Sequence, residues 1–327
     1  MREPAAPEQS NPRDQREQHN RRGFSRTGST AMSGLTRIDA VAFVGFGEAG
    51  GILGAALAAK GVRVAMFDLR RDQLRDKAQA AGVRVAGTLR SVLDGAQLVV
   101  SAVTAEADLD VAQALAGCIE AGQVCLDINS VSPQTKQHAQ ACIEGAGARY
   151  VEAAVMAPVP PYGLAVPMLL GGADAVLLAP LLNALGFDAR AVSEKVGVAS
   201  AAKMCRSVMI KGIEALTVEC LRAARHYDAE SIVLASLTET FGKMRDAADV
   251  PGYLVSRVAE HGRRRAAEMR EVSQTLQEAG ITPFMSDASA RLQDSIVDAM
   301  QAAGIDYGTL STPFDWRAFF DRLPDSK

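Results

Sequence analysis

The chain has 327 residues, 48% of them apolar and 22% charged, and a formal net charge of −3. That length favours two domains over a single core, and the slightly acidic balance gives no broad attraction to nucleic acid or to an anionic membrane surface. Five scattered cysteines without a C-x-x-C pair, and four isolated histidines, argue against a disulfide framework and leave no metal centre expected.

Residues 1–35 are polar and carry charges of both signs, with too few apolar side chains to offset the entropy of ordering, so a disordered tail is expected there. The segment lacks the apolar run of a secretory leader, and Met32 is a candidate alternative start just ahead of the ordered pattern. The longest apolar stretch, 166–185, is broken by Gly171, Gly172, Asp174, Pro180 and Asn183. No membrane span is expected, and the cytoplasm is the expected compartment.

From residue 36 to 196, short β-like runs (40–44, 62–67, 98–103, 124–128, 150–155 and 167–170) alternate with helical stretches (49–59, 71–80, 108–118 and 133–144). This alternation predicts an α/β fold, a doubly wound parallel sheet of the Rossmann type covered by helices on both faces. The β-like runs are almost continuously apolar, as strands buried on both sides are. From 197 to 327 the strand-like runs stop, and helical stretches at 199–226, 229–241, 253–278 and 285–303 predict an all-helical C-terminal domain for substrate binding and dimerisation. Its apolar, Ala-rich faces are expected to be completed by a second subunit in a homodimer.

The strongest local motif follows the first β-like run: Gly45-Phe46-Gly47-Glu48-Ala49-Gly50 fits G-x-G-x-x-G and leads directly into a helical run. Gly45 permits the tight turn, Gly47 lets a pyrophosphate approach the backbone, and Gly50 lets helix and strand pack closely. The helix start offers free N–H groups and a positive dipole end to phosphates. Asp68 closes the next β-like run, where a carboxylate can accept the ribose hydroxyls of the adenosine half. A dinucleotide is therefore the expected cofactor. Asp68 favours NAD, while Arg70 and Arg71 keep NADP open.

A second constellation, 197–216, begins with small residues and then places Lys203 on an otherwise apolar helix face. A partly desolvated lysine there suits proton exchange with a substrate hydroxyl. The alternative is a lysine that merely snorkels to water. Further along, His261, Arg264, Arg265 and Glu268 share a helix face that can either recognise an anion bidentately or stand solvated.

The GFGEAG turn, DINSVSP at 127–133 and GVASAAK at 197–203 resemble the β-hydroxyacid dehydrogenase family, with its 6-phosphogluconate dehydrogenase-like NAD-binding domain. The resemblance implies a Rossmann domain followed by a helical one, with Lys203 as the catalytic lysine. It also implies that Asn129 and Ser130 line the nicotinamide pocket and that Val103 and Thr104 touch the cofactor. The chain departs from the family pattern at three places. Met156 stands where many members grip the substrate carboxylate with a serine, Ser207 where they carry an asparagine, and Glu268 where they carry a further lysine. These departures point to an atypical branch with a divergent helical C-terminal domain, and they make Met156, Pro158, Arg264, Arg265 and Glu268 the candidate substrate-facing residues.

The expected activity is hydride transfer between a nicotinamide and a hydroxyl-bearing carbon of a small anionic hydroxy acid or sugar acid. Lys203 is the expected acid/base, supported by Asn129 and Ser207. An imine reductase, a decarboxylating dehydrogenase and a non-catalytic dinucleotide sensor on the same scaffold are the alternatives.

Overall fold

In the first strand, β1 (Ala40–Val44), Val41 and Phe43 pack into a core on one face of the sheet and Ala42 and Val44 into a core on the other. That two-sided burial is why the segment lacks polar residues. The computed structural model describes residues 35–324, so all of the expected tail except Leu35 lies outside the described residues. The strands that follow are β2 (Arg63–Phe67), β3 (Arg84–Val85), β4 (Leu98–Ser101), β5 (Val124–Asp127), β6 (Arg149–Val155), β7 (Pro167–Gly171) and β8 (Asp188–Ser193).

They form one eight-stranded sheet in the order β3-β2-β1-β4-β5-β6-β7-β8. Pairing is parallel through β6. β7 then returns antiparallel to β6, with β8 parallel to β7. The first six strands thus have the doubly wound Rossmann order, whose direction reverses between β1 and β4. Two strands lack a clear sequence signal. β3 spans only two residues, and β8 mixes charged and small residues as a half-wet edge strand does.

The helix starts around the sheet differ in a way that matters for the site. Helix Pro133–Gly145 opens with Ser132 as its cap and proline in the first turn. Helix Glu48–Ala59 springs directly from Gly47 with no side-chain cap, which leaves its first N–H groups for another acceptor. Gly54 in that helix makes room for Phe46. A Cβ at Gly54 would lie 2.7 Å from the Phe46 ring, which packs edge-on against Phe43 in the core.

The chain divides into two compact units between Cys205 and Arg206. The division falls inside helix Val198–His226, so the turns through Cys205 go with the sheet. The second unit is helical. Helices Val250–Glu278 and Phe284–Ala302 pack along each other, and a Cβ at Gly262 would lie 2.6 Å from Val297. Arg263 and Arg270 converge on Asp294 across that pair. Glu219 reaches the start of the last long helix, accepting the Met285 and Ser286 N–H groups at 2.8 and 2.9 Å and the Ser286 hydroxyl at 2.7 Å. Among the described residues no helix is long and apolar enough to cross a membrane.

Candidate active site

The glycine turn sits where the strand order reverses, between the ends of β1 and β4, the position at which open α/β sheets bind ligands. Gly45 has φ +91°, and a Cβ there would collide with the Ala102 carbonyl oxygen. A Cβ at Gly50 would collide with the Gly45 carbonyl oxygen. These two glycines are therefore needed by the fold itself. Around Gly47 a Cβ would meet nothing within 4 Å, and the space in front of it belongs to a cavity of about 740 Å³.

That cavity is lined by Gly45, Gly47, Glu48, Asp68, Val103 and Thr104 among others, which brings most of the expected cofactor residues together. The Asp68 carboxylate is held from both sides by backbone N–H groups, Phe46 to Oδ2 and Arg70 to Oδ1, each at 2.8 Å. Of Phe46 only the backbone serves the turn, because its ring is buried. The Arg70 guanidinium stands 3.9 Å from Asp68, and that of Arg71 lies over the Phe67 ring. The uncapped helix start, the open face at Gly47 and the fixed acid fit a dinucleotide: phosphates at the free N–H groups, the adenosine ribose at Asp68.

A second cavity of about 390 Å³ adjoins the same loop, since Val103 and Thr104 line both. Its polar lining includes Asn129, Ser130 and Lys203, and its apolar lining includes Ala49, Ile128, Val155 and Ala157. The Lys203 ammonium donates to the Ser130 hydroxyl at 2.6 Å. The helix that carries Lys203 is seated by Glu152, a wholly buried carboxylate that accepts the Gly197, Ala199 and Ser200 N–H groups at 2.7, 3.0 and 3.3 Å. A carboxylate is the natural partner for the positive end of a helix. Gly171 leaves room for it, since a Cβ at that position would collide with Glu152 Oε1.

Asn129 faces inward. Its Nδ2 donates to Ser101 Oγ at 2.9 Å and Asp108 Oδ1 at 2.6 Å, and its Oδ1 accepts the Val103 N–H at 2.7 Å. Beneath it Asp127 pairs with fully buried Lys136 at 2.6 Å and accepts the Tyr150 hydroxyl at 2.6 Å. Burial and then the Asp127 charge push the Tyr150 phenol up, and the same causes push the Asp108 carboxyl up to about 6.

The remaining expected residues lie elsewhere. Met156 is half-buried and ties its backbone to Pro167 at 2.9 Å, while its neighbours Val155 and Ala157 line the second cavity. Pro158 is exposed at the start of the short turn Val159–Tyr162. Ser207 is one turn beyond Lys203 along the helix and past the division between units. In the second unit Arg264 and Glu268 pair with each other, and Arg265 is half-buried with no ion pair among the described residues. Asp108, Lys136, Tyr150 and Glu152 carry no sequence signal for a site. Only Asp127 falls within a motif that stands out.

Residues 40–186 match the NAD binding domain of 6-phosphogluconate dehydrogenase, and residues 224–296 match a domain of unknown function (DUF1932). A conserved hypothetical protein from Sinorhizobium meliloti is 36% identical, with 89% of this chain and 98% of that one covered and a TM-score of 0.57. A conserved protein of unknown function, reported to be structurally similar to 3-hydroxyacid dehydrogenases, is 32% identical over 79% and 97% of the two chains, with a TM-score of 0.55. An imine reductase from Myxococcus stipitatus in complex with NADP+ shares the fold at 21% identity, over 81% and 95%, with a TM-score of 0.64.

Proposed function

The chain belongs to the β-hydroxyacid dehydrogenase family, in a branch with its own helical C-terminal domain, and from that premise we propose that it is an NAD-dependent oxidoreductase acting on a hydroxyl-bearing carbon. The substrate class is a small anionic hydroxy acid or sugar acid. The observation that carries this reading is the contact between Lys203 and Ser130 in a cavity that shares Val103 and Thr104 with the dinucleotide cavity.

When bound, the nicotinamide supplies or accepts the hydride. The protein's part is positional and protonic. In oxidation the neutral Lys203 amine takes the substrate hydroxyl proton, and in reduction its ammonium returns one. Ser130 holds the Lys203 Nζ in place, and Glu152 holds the helix beneath it. Asp68, with both oxygens already fixed by backbone N–H groups, favours a ribose hydroxyl over a second negative charge.

The test is an NADH-formation assay over a panel of hydroxy acids and sugar acids, with wild type beside Lys203→Met. Turnover should fall by about 10²–10⁴ in the variant while NADH affinity stays within about twofold. Equal turnover in both proteins would sink the assignment of Lys203. The apolar lining of the second cavity (Ala49, Ile128, Val155, Ala157) favours a second reading, reduction of an imine, and cyclic imines belong in the same panel.

The second unit leaves Val208 73%, Val218 60%, Ile232 72% and Phe241 53% exposed, and helix Glu230–Asp246 buries no residue at all. Apolar area of that kind marks an interface, and its assigned occupant is a second copy of the chain. Light scattering at micromolar concentration should report a dimer, and a monomer would refute it.

A further inference from the structure

Asp108 opens helix Asp108–Ala116, is 1% exposed, and lines neither cavity. Its Oδ1 accepts from Asn129, but its Oδ2 is buried with no hydrogen-bond partner. An unpaired buried carboxylate oxygen is costly unless it carries a proton or keeps a neighbour in place. The groups around it are Asp127 and Cys125 on β5, Lys136 on helix Pro133–Gly145 and Tyr150 on β6. Of these, Asp127 is already committed to Lys136, to Tyr150 and to the Asn129 backbone N–H at 2.9 Å.

An asparagine amide must be told which end is oxygen. Here Ser101 and Asp108 receive its two N–H groups on one side, and the Val103 N–H requires its oxygen on the other. A flipped amide would set Nδ2 against the Val103 N–H, donor against donor. The Asp108 acceptor therefore fixes the orientation of Asn129, and no N–H of that amide is left for a substrate. Val103 and Thr104 line both cavities, and Ser130, the next residue after Asn129, receives Lys203.

We propose that Asp108 is a positioning residue: through the amide of Asn129 it holds the Val103–Thr104 loop between the two cavities and the strand end that presents Ser130 to Lys203. Its consequence for cofactor binding rests on the dinucleotide reading above, whereas the tie itself does not.

The experiment is hydrogen exchange by mass spectrometry on the full chain, with NADH fluorescence titration alongside, for wild type, Asp108→Ala and Asp108→Asn. Asparagine keeps an oxygen for Asn129 and offers an N–H towards Asp127, so it should rescue. In Asp108→Ala, exchange in peptides covering 101–105 and 128–131 should rise about tenfold and NADH affinity fall about tenfold, with Asp108→Asn within about twofold of wild type in both. If Asp108→Ala does not fold, Asn129→Ala cuts the same tie from the other side and must show the same local exchange. Unchanged exchange in those peptides, an asparagine variant as damaged as the alanine one, or faster exchange spread evenly over the sheet would overturn the proposal. Failure of wild type to bind NADH would sink the dinucleotide reading instead, and the exchange arm would still decide Asp108.

Discussion

The two cavities of the first unit share a loop but are built in opposite ways. On the dinucleotide side the groups that define the site are a contiguous backbone turn from Gly45 to Gly50 and the N–H groups that hold Asp68, set beside apolar side chains such as Leu69, Leu89 and Val111. On the Lys203 side the functional groups are side chains gathered from distant positions, Ser101, Asp108, Asn129, Glu152 and Lys203. A site made of backbone is written in a short motif, because the spacing of glycines is its geometry. A site made of side chains exists only once the fold has brought them together.

The sharpest way to break the comparison is to separate the glycines that serve the fold from the one that serves the ligand. Gly50→Ala drives a methyl group into the Gly45 carbonyl and should cost at least about 3 kcal/mol in a urea titration. Gly47→Val enters open space, so its stability should stay within about 1 kcal/mol of wild type while NADH affinity falls by roughly 100-fold. Loss of affinity without loss of stability at Gly50, or the reverse at Gly47, would show that the two roles are misassigned.

The sequence made the backbone side legible for the same reason. Gly45, Gly47, Gly50 and Asp68 could be given roles from spacing alone, and all four line or shape one cavity. On the other side the sequence singled out Lys203 by its place on an apolar helix face and Asn129 and Ser130 by resemblance, and the structure gathers the three in one cavity lining. The orientation of Asn129 was not legible, since its partners Ser101 and Asp108 lie 28 and 21 positions away with no periodicity to link them. Glu152 was hidden inside an apolar strand, 45 positions from the helix start it holds. Strands β3 and β8 escaped because one is too short and the other too polar for a core pattern.

A smaller effect is expected at Asp68. Asp68→Asn keeps an oxygen for one of the two backbone N–H groups but removes the charge that meets a 2′-phosphate, beside Arg70 at 3.9 Å. The ratio of NADPH to NADH affinity should rise about tenfold, about 1.4 kcal/mol, with both measured by fluorescence at one ionic strength. An unchanged ratio would mean that Arg70 and Arg71, rather than Asp68, set the preference.

The smallest effect concerns the side-chain cavity and is read in stability rather than binding. Burial, followed by the Asp127 charge, raises the Asp108 carboxyl from 3.8 to about 6. A raised acid binds its proton more tightly when folded. Its contribution is therefore complete below pH 4 and is lost as pH rises through about 6. The full shift corresponds to about 3 kcal/mol, and relaxation and water penetration around the buried carboxyl reduce this to the order of 1 kcal/mol. Wild type should lose that much stability relative to Asp108→Asn between pH 4.5 and pH 7.5, whatever the two proteins' stabilities at either end. Urea titrations across about that range would show a stability difference that changes with pH if Asp108 holds its proton. A difference independent of pH would mean that Asp108 is ionised throughout, leaving its buried Oδ2 to be satisfied by something other than a proton.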